Sequence, residues 1–169
     1  MDNVQTRVLL PESMDYRFIA DTNVGKLAKW LRILGYDTLF LNPVEDDELL
    51  QVARLEDRVL VTRDRALVAR RMVRRGLVRA LLVQSDQWQD QLRQVVLGLE
   101  LELPAEGFSR CLRCNVALAP QEREQVRDRV PPYVFSTQQV FKECPQCGRI
   151  YWRGTHWEHV REALRSVDA

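Results

Sequence analysis

The chain has 169 residues, 46% of them hydrophobic and 29% charged, with a formal net charge of +1. That is enough for one ordinary domain, or for a compact one plus a small stapled module, and it leaves the whole molecule without a strong electrostatic address. No apolar run approaches the ~20 residues of a membrane span, and Met1 to Glu12 lack the basic start and apolar core of a secretory signal, so the expected compartment is the cytoplasm.

Residues 1–15 show no periodicity and read as a lead-in. Arg17-Phe18-Ile19-Ala20 is a short strand closed by Asp21. Val24, Leu27, Ala28, Leu31 and Leu34 then recur at helical spacing, with Gly35 placed as the stop. Thr38 to Leu41 predicts a second strand, ended by Asn42-Pro43. Asp46 and Asp47 are placed to cap a helix carrying Leu49, Leu50, Val52 and Ala53. Val59-Leu60-Val61 is a third strand, closed by Thr62-Arg63-Asp64, and an Arg-rich helix is expected from there to about Gly76. Ala80 to Val83 is a fourth strand closed by Gln84-Ser85-Asp86, and a last helix is expected over Trp88–Leu99. Apolar strands alternating with helices imply βαβ units, hence an α/β fold whose parallel sheet is covered on both faces. Glu102 to Gly107, with Pro104, reads as a linker.

Three strands end in an aspartate: Asp21, Asp64 and Asp86. Sites in open parallel sheets gather outside the carboxyl ends of the strands, and neighbouring strands lie ~4.8 Å apart. Carboxylates at adjacent tips can therefore converge on Mg²⁺ or Mn²⁺, which prefer oxygen ligands, and Asp46 or Asp47 can supply a fourth. Each aspartate also stands where a helix N-cap is wanted, so the cap and ligand readings stay open side by side. Other aspartate enzymes fit worse. A haloacid-dehalogenase-like site wants an acid two residues after Asp21, where Asn23 stands; a receiver domain wants a lysine late in the sheet, and Ser85-Asp86 offers none. There is no Gly-rich phosphate loop.

Cys111-x-x-Cys114 and Cys144-x-x-Cys147 hold all four cysteines, with residues 115–143 between the pairs. In a reducing compartment two such knuckles favour metal over disulfide, and four thiolates make the tetrahedral set that zinc prefers. A closed Cys₄ site has no open position, so the zinc is expected to hold structure. Val134-Phe135 and Val140-Phe141 are the candidate ribbon strands, and His156 and His159 read as surface or aromatic-packing residues.

Taken together, Phe18-Ile19-Ala20-Asp21, Gly25 to Arg32, Leu34-Gly35-Tyr36-Asp37, Asp46 to Leu50 and Val59 to Leu67 resemble the Mut-seven C-terminal RNase domain family, a PIN-like group. The two cysteine pairs, Val130-Pro131-Pro132-Tyr133 and Tyr151 to Trp157 extend the resemblance over roughly residues 17–159. It implies a metal-dependent ribonuclease with Asp21, Asp46 and Asp64 as metal-holding acids and Asp86 as a further one; the choice among Asp46, Asp47 and Glu48 stays open. Catalytic Mg²⁺ or Mn²⁺ and structural Zn²⁺ are the cofactors so implied, and RNA is the partner.

Arginines 63, 65, 70, 71, 74, 75 and 79 stand against the single Asp64 in their stretch. They read either as a phosphate-binding surface or as a solvated helix face. Lys26, Arg63, Arg70 and Arg71 are the residues expected to meet RNA. The expected organisation is a PIN-like domain over 16–103 and a zinc ribbon over 108–155, acting as a ribonuclease. The competing class is a non-catalytic RNA- or protein-binding module on a degenerate nuclease fold.

Overall fold

In a computed structural model, residues 16–104 and 108–165 are described, without the side chain of His156; the expected lead-in over 1–15 lies outside them. The first sheet has strands β1 (Arg17–Ala20), β2 (Asp37–Phe40), β3 (Val59–Thr62) and β4 (Ala80–Leu82), all parallel, in the order β2-β1-β3-β4. The strand order reverses between β1 and β3, so their carboxyl ends form the crevice where α/β sheets place their sites.

Alternation along the two central strands sorts the core into two layers. Phe18, Ala20, Val59 and Val61 face helices α1 (Gly25–Ile33) and α5 (Trp88–Gly98), while Ile19 and Leu60 face α2 (Asp46–Leu55). Helix α1 ends at Gly35 as expected. Gly35 has φ +92°, its N–H reaches Arg32 O, and Tyr36 N–H reaches Leu31 O at 3.0 Å, the paired bonds of a Schellman stop.

The Arg-rich segment departs from the single helix expected. It forms two one-turn helices, α3 (Arg65–Val68) and α4 (Arg71–Arg74), with extended backbone at Arg70 between them. A continuous helix would carry Leu67 and Met72 about 140° apart. The break lets both pack into the layer beneath β3.

After the linker comes a three-stranded antiparallel sheet of β5 (Ala119–Gln121), β6 (Phe141–Glu143) and β7 (Ile150–Trp152). Phe141 opens a strand, but Val134 and Phe135 lie in helix α6 (Pro132–Thr137) instead of in a strand. Pro132 stands in its first turn, where a missing N–H costs nothing. The last helix, α7 (Thr155–Arg165), was not foreseen. Its Trp157, Val160 and Leu164 are buried in the same layer as α1 and α5, so the chain returns to the first sheet after the cysteine module. Their helical spacing was the available signal. Among the described residues no helix is long and apolar enough to cross a membrane.

Candidate functional site

The cysteine module is two copies of one turn. Asn115 N–H reaches Cys111 O and Gly148 N–H reaches Cys144 O, each at 2.9 Å. Asn115 and Gly148 have φ of 63° and 71°, a left-handed conformation that Asn and Gly adopt at least cost. The third amide of each turn points back at sulfur, Cys114 N to Cys111 Sγ at 3.3 Å and Cys147 N to Cys144 Sγ at 3.4 Å. These turns bring the four sulfurs within 4.8 Å of one another. Burial pushes the Cys111 thiol up, but bonds from Tyr151 Oη and from the Cys114 and Arg113 amides outweigh it and bring it down to about 6. The donor set fits a zinc ion: four sulfurs within reach of one ion, with amides placed to stabilise the charge that thiolates would carry.

A buried polar network docks the first knuckle on the parallel sheet. Arg32, 8% exposed, donates from Nη1 to Leu112 O at 2.7 Å and from Nε to Thr38 O at 2.9 Å. Asn115 accepts from the Thr38 amide at 3.0 Å and donates to Asp37 Oδ1 at 2.7 Å. Arg110 donates to Gly35 O at 3.0 Å. Asn115 thus satisfies an edge-strand N–H of β2 that would otherwise be orphaned.

At the crevice, Asp21 is 8% exposed and takes bonds on both oxygens. Oδ1 accepts from the Thr22 amide at 2.6 Å; Oδ2 accepts from Asn23 Nδ2 at 2.8 Å and Thr62 Oγ1 at 2.6 Å. Thr62 Oγ1 in turn accepts from the Asp64 amide at 2.9 Å, so one buried hydroxyl links the tips of β1 and β3. Asn23 closes a second link, its Oδ1 accepting from the Arg63 amide at 3.2 Å. Asp64 caps α3 through Oδ1, which accepts from Ala66 N at 2.7 Å and Leu67 N at 3.3 Å. Asp21 and Asp64 thus each cap the turn that follows, and Thr62 ties their strand tips together. Thr62 and Asn23, which make these links, are not among the site residues expected from the sequence; their spacing two residues from an expected acid was the only signal.

The other acids stand apart from this pair. Asp86 is exposed and bound to Arg63, while Arg70 binds Asp47 and lies 3.9 Å from Asp46. Asp46 and Asp47 do not cap α2; they lie in its first turn behind the N-cap Glu45, where negative charge suits the helix dipole. Among the described residues, the cysteines are the one set of three or more candidate ligands brought within mutual metal-binding distance. The donors at the crevice, carboxylates with polar second partners, match in chemistry the hard divalent ions. Beside them, Asn23, Arg63, Arg65 and Gln84 line an open pocket of about 280 Å³. Lys26 is exposed in the first turn of α1, and Arg71 opens α4 without an ion pair among the described residues.

Compared with known proteins, residues 16–164 match the family model described as the Mut7-C RNAse domain. No curated protein and no solved structure matches the chain.

Proposed function

The chain belongs to the Mut7-C RNAse domain family, and from that membership we propose that it hydrolyses RNA phosphodiester bonds with the help of Mg²⁺ or Mn²⁺ at the β1–β3 crevice. The observation that carries this reading is the Asp21–Thr62–Asp64 link, in which one buried hydroxyl donates to the Asp21 carboxylate and accepts from the Asp64 main-chain N–H, so that the two acidic residues stand at adjacent strand tips. Asp21 and Asp64 would hold the ion, with Asp46 and Asp86 as outer acids. When bound, the ion supplies an activated water and a counter-charge for the leaving oxygen. Thr62 and Asn23 fix the Asp21 carboxylate so that it need not reorganise as the reaction proceeds. Arg65, which lines the adjoining pocket and makes no ion pair among the described residues, receives a phosphate of the RNA strand, with Arg63 beside it on Asp86. In the same reading zinc on the four cysteines is structural, because four thiolates leave no position for substrate.

A second reading has a specific observation in its favour. Arg63 and Arg70 already neutralise Asp86 and the Asp46–Asp47 pair, as a non-catalytic RNA-binding module with arginines in place of metal would have it. Calorimetric titration of the zinc-loaded chain with Mn²⁺ separates the two. The nuclease reading expects a binding heat that the Asp21→Asn, Asp64→Asn double variant loses. The binding-module reading expects no such heat in either protein.

A further inference from the structure

Two cavities meet on the ribbon, lined by none of the crevice residues, and their linings differ in kind. One, of about 320 Å³, is walled by Phe108, Tyr151 and Trp152 with Leu112 and Ile150. The other, of about 390 Å³, shares Leu112, Ile150, Tyr151 and Trp152 and adds Arg129 and Arg149. We propose that together they form a slot for one nucleotide of single-stranded RNA, the base among the aromatic rings and its phosphate at Arg149.

The slot is stiff where stacking needs it to be. The Tyr151 hydroxyl lies 3.2 Å from Cys111 Sγ and accepts from the Leu112 amide at 3.1 Å, which pins the ring to the first zinc knuckle. Phe108 lies 5.9 Å from it, centroid to centroid. Gly154 lets Trp152 lie close: a Cβ there would stand 3.3 Å from the Trp152 Nε1 atom. Rings held in place stack a base with little ordering cost.

The charges are divided as a nucleotide requires. Arg129 is committed to Glu143 through two bonds, at 2.6 and 3.0 Å. Arg149 is exposed and makes no ion pair among the described residues, so its guanidinium is available to phosphate. An apolar ligand would leave Arg149 unused, and a free phosphate would leave the aromatic wall unused. A nucleotide uses both. The competing role for Arg149 is to offset the negative charge of a zinc tetrathiolate, and it makes a different prediction.

The proposal rests on RNA as the ligand class but not on cleavage, so the test is a binding test on the whole zinc-loaded chain. An end-labelled 12-residue oligouridylate and an abasic strand of equal length are titrated without added Mg²⁺ or Mn²⁺, and zinc is measured in every variant. Trp152→Leu is expected to weaken the base-bearing strand about tenfold and the abasic one little, because stacking is what it removes. Trp152→Phe should recover most of that loss. Arg149→Gln should weaken both strands and lower the salt slope by about 0.7, the value of one single-strand phosphate contact. A 4-thiouridine strand photocrosslinked to the unmodified chain should mark residues 149–155, which covers the case of a variant that folds badly. An undiminished preference for the base-bearing strand in Trp152→Leu, zinc loss in Arg149→Gln without a change in RNA affinity, or crosslinks confined to residues 16–99 would overturn the slot. If Asp21-dependent cleavage is found while the slot variants bind normally, only the slot falls; if the slot variants lose binding but no RNA is cut, only the nuclease reading falls.

Discussion

Arg58 is 6% exposed and is held by Asp37 at 2.8 and 3.2 Å, with further bonds to Glu56 and to the Phe18 carbonyl. Removing Asp37 leaves a buried guanidinium short of its main partner, so Asp37→Ala should cost about 3 kcal/mol in a urea titration. The Asp37 carboxyl loses by burial but gains more from bonds with Arg58 and Asn115, and its pKa lies below the usual carboxylate value. A depressed pKa stabilises the fold above the unfolded value and releases that stability as pH falls through the folded one. Asp37→Asn should therefore be less stable at neutral pH and lose less further stability on acidification; an unchanged acid slope would remove Asp37 from the account. The Asp37–Arg58 pair did not stand out in the sequence, because it is made by β2 and the start of β3 flanking β1, not by spacing. Asp21 and Asp64 did stand out, because a strand followed at once by an acid is a local pattern. Thr62, which joins them, closes a strand in the sequence, and nothing local marks the bond it makes to Asp21. Thr62→Val keeps its shape and removes the hydroxyl, so cleavage should fall at least ~10-fold with the fold retained. Cleavage at the unmodified rate would show that the link is only structural.

Elements with a single continuous apolar periodicity were legible, and those shaped by distant packing were not. Strands β1 to β4 and helices α1, α2 and α5 lie close to their expected positions. The break between α3 and α4 depends on where Leu67 and Met72 meet the sheet, which local propensity does not contain. Helix α6 replaced an expected strand because Pro131-Pro132 precedes Val134 and Phe135, a start signal that outweighed their β-propensity. Helix α7 is joined to the first layer by Leu164, 4% exposed. Leu164→Ala should cost ~2–5 kcal/mol, and the loss should appear as earlier unfolding of the parallel sheet, read by amide hydrogen exchange in β1 and β3. Exchange unchanged in those strands would mean that α7 is peripheral to them.

Across the whole molecule the arginines fall into two groups that the sequence alone presented as one. Arg63, Arg70 and Arg79 are tied to acids, whereas Arg65, Arg71, Arg74 and Arg75 make no ion pair among the described residues. Reversing Arg71 and Arg74 should thus flatten the salt dependence of RNA binding more than reversing Arg70, whose charge is already spent on Asp46 and Asp47. Equal slopes for the two changes would contradict that division. The ribbon is joined to the sheet by Arg32, Asn115 and Arg110, so zinc removal should loosen β2 as well as the knuckles. The crevice remains the centre of the account, and the measurement that reaches it most directly is cleavage of a labelled single-stranded RNA by the zinc-loaded chain with and without Mn²⁺. Asp21→Asn keeps one of the two acceptor oxygens, enough for the Thr22 amide or for the Thr62 and Asn23 donors but not for both, and removes the charge. Mn²⁺-dependent cleavage is expected from the unmodified chain, with a fall of at least ~100-fold in this variant while the fold is retained, as checked by amide exchange in β1 and β3; Mn²⁺-dependent cleavage that persists undiminished in Asp21→Asn would contradict a metal-holding role for Asp21.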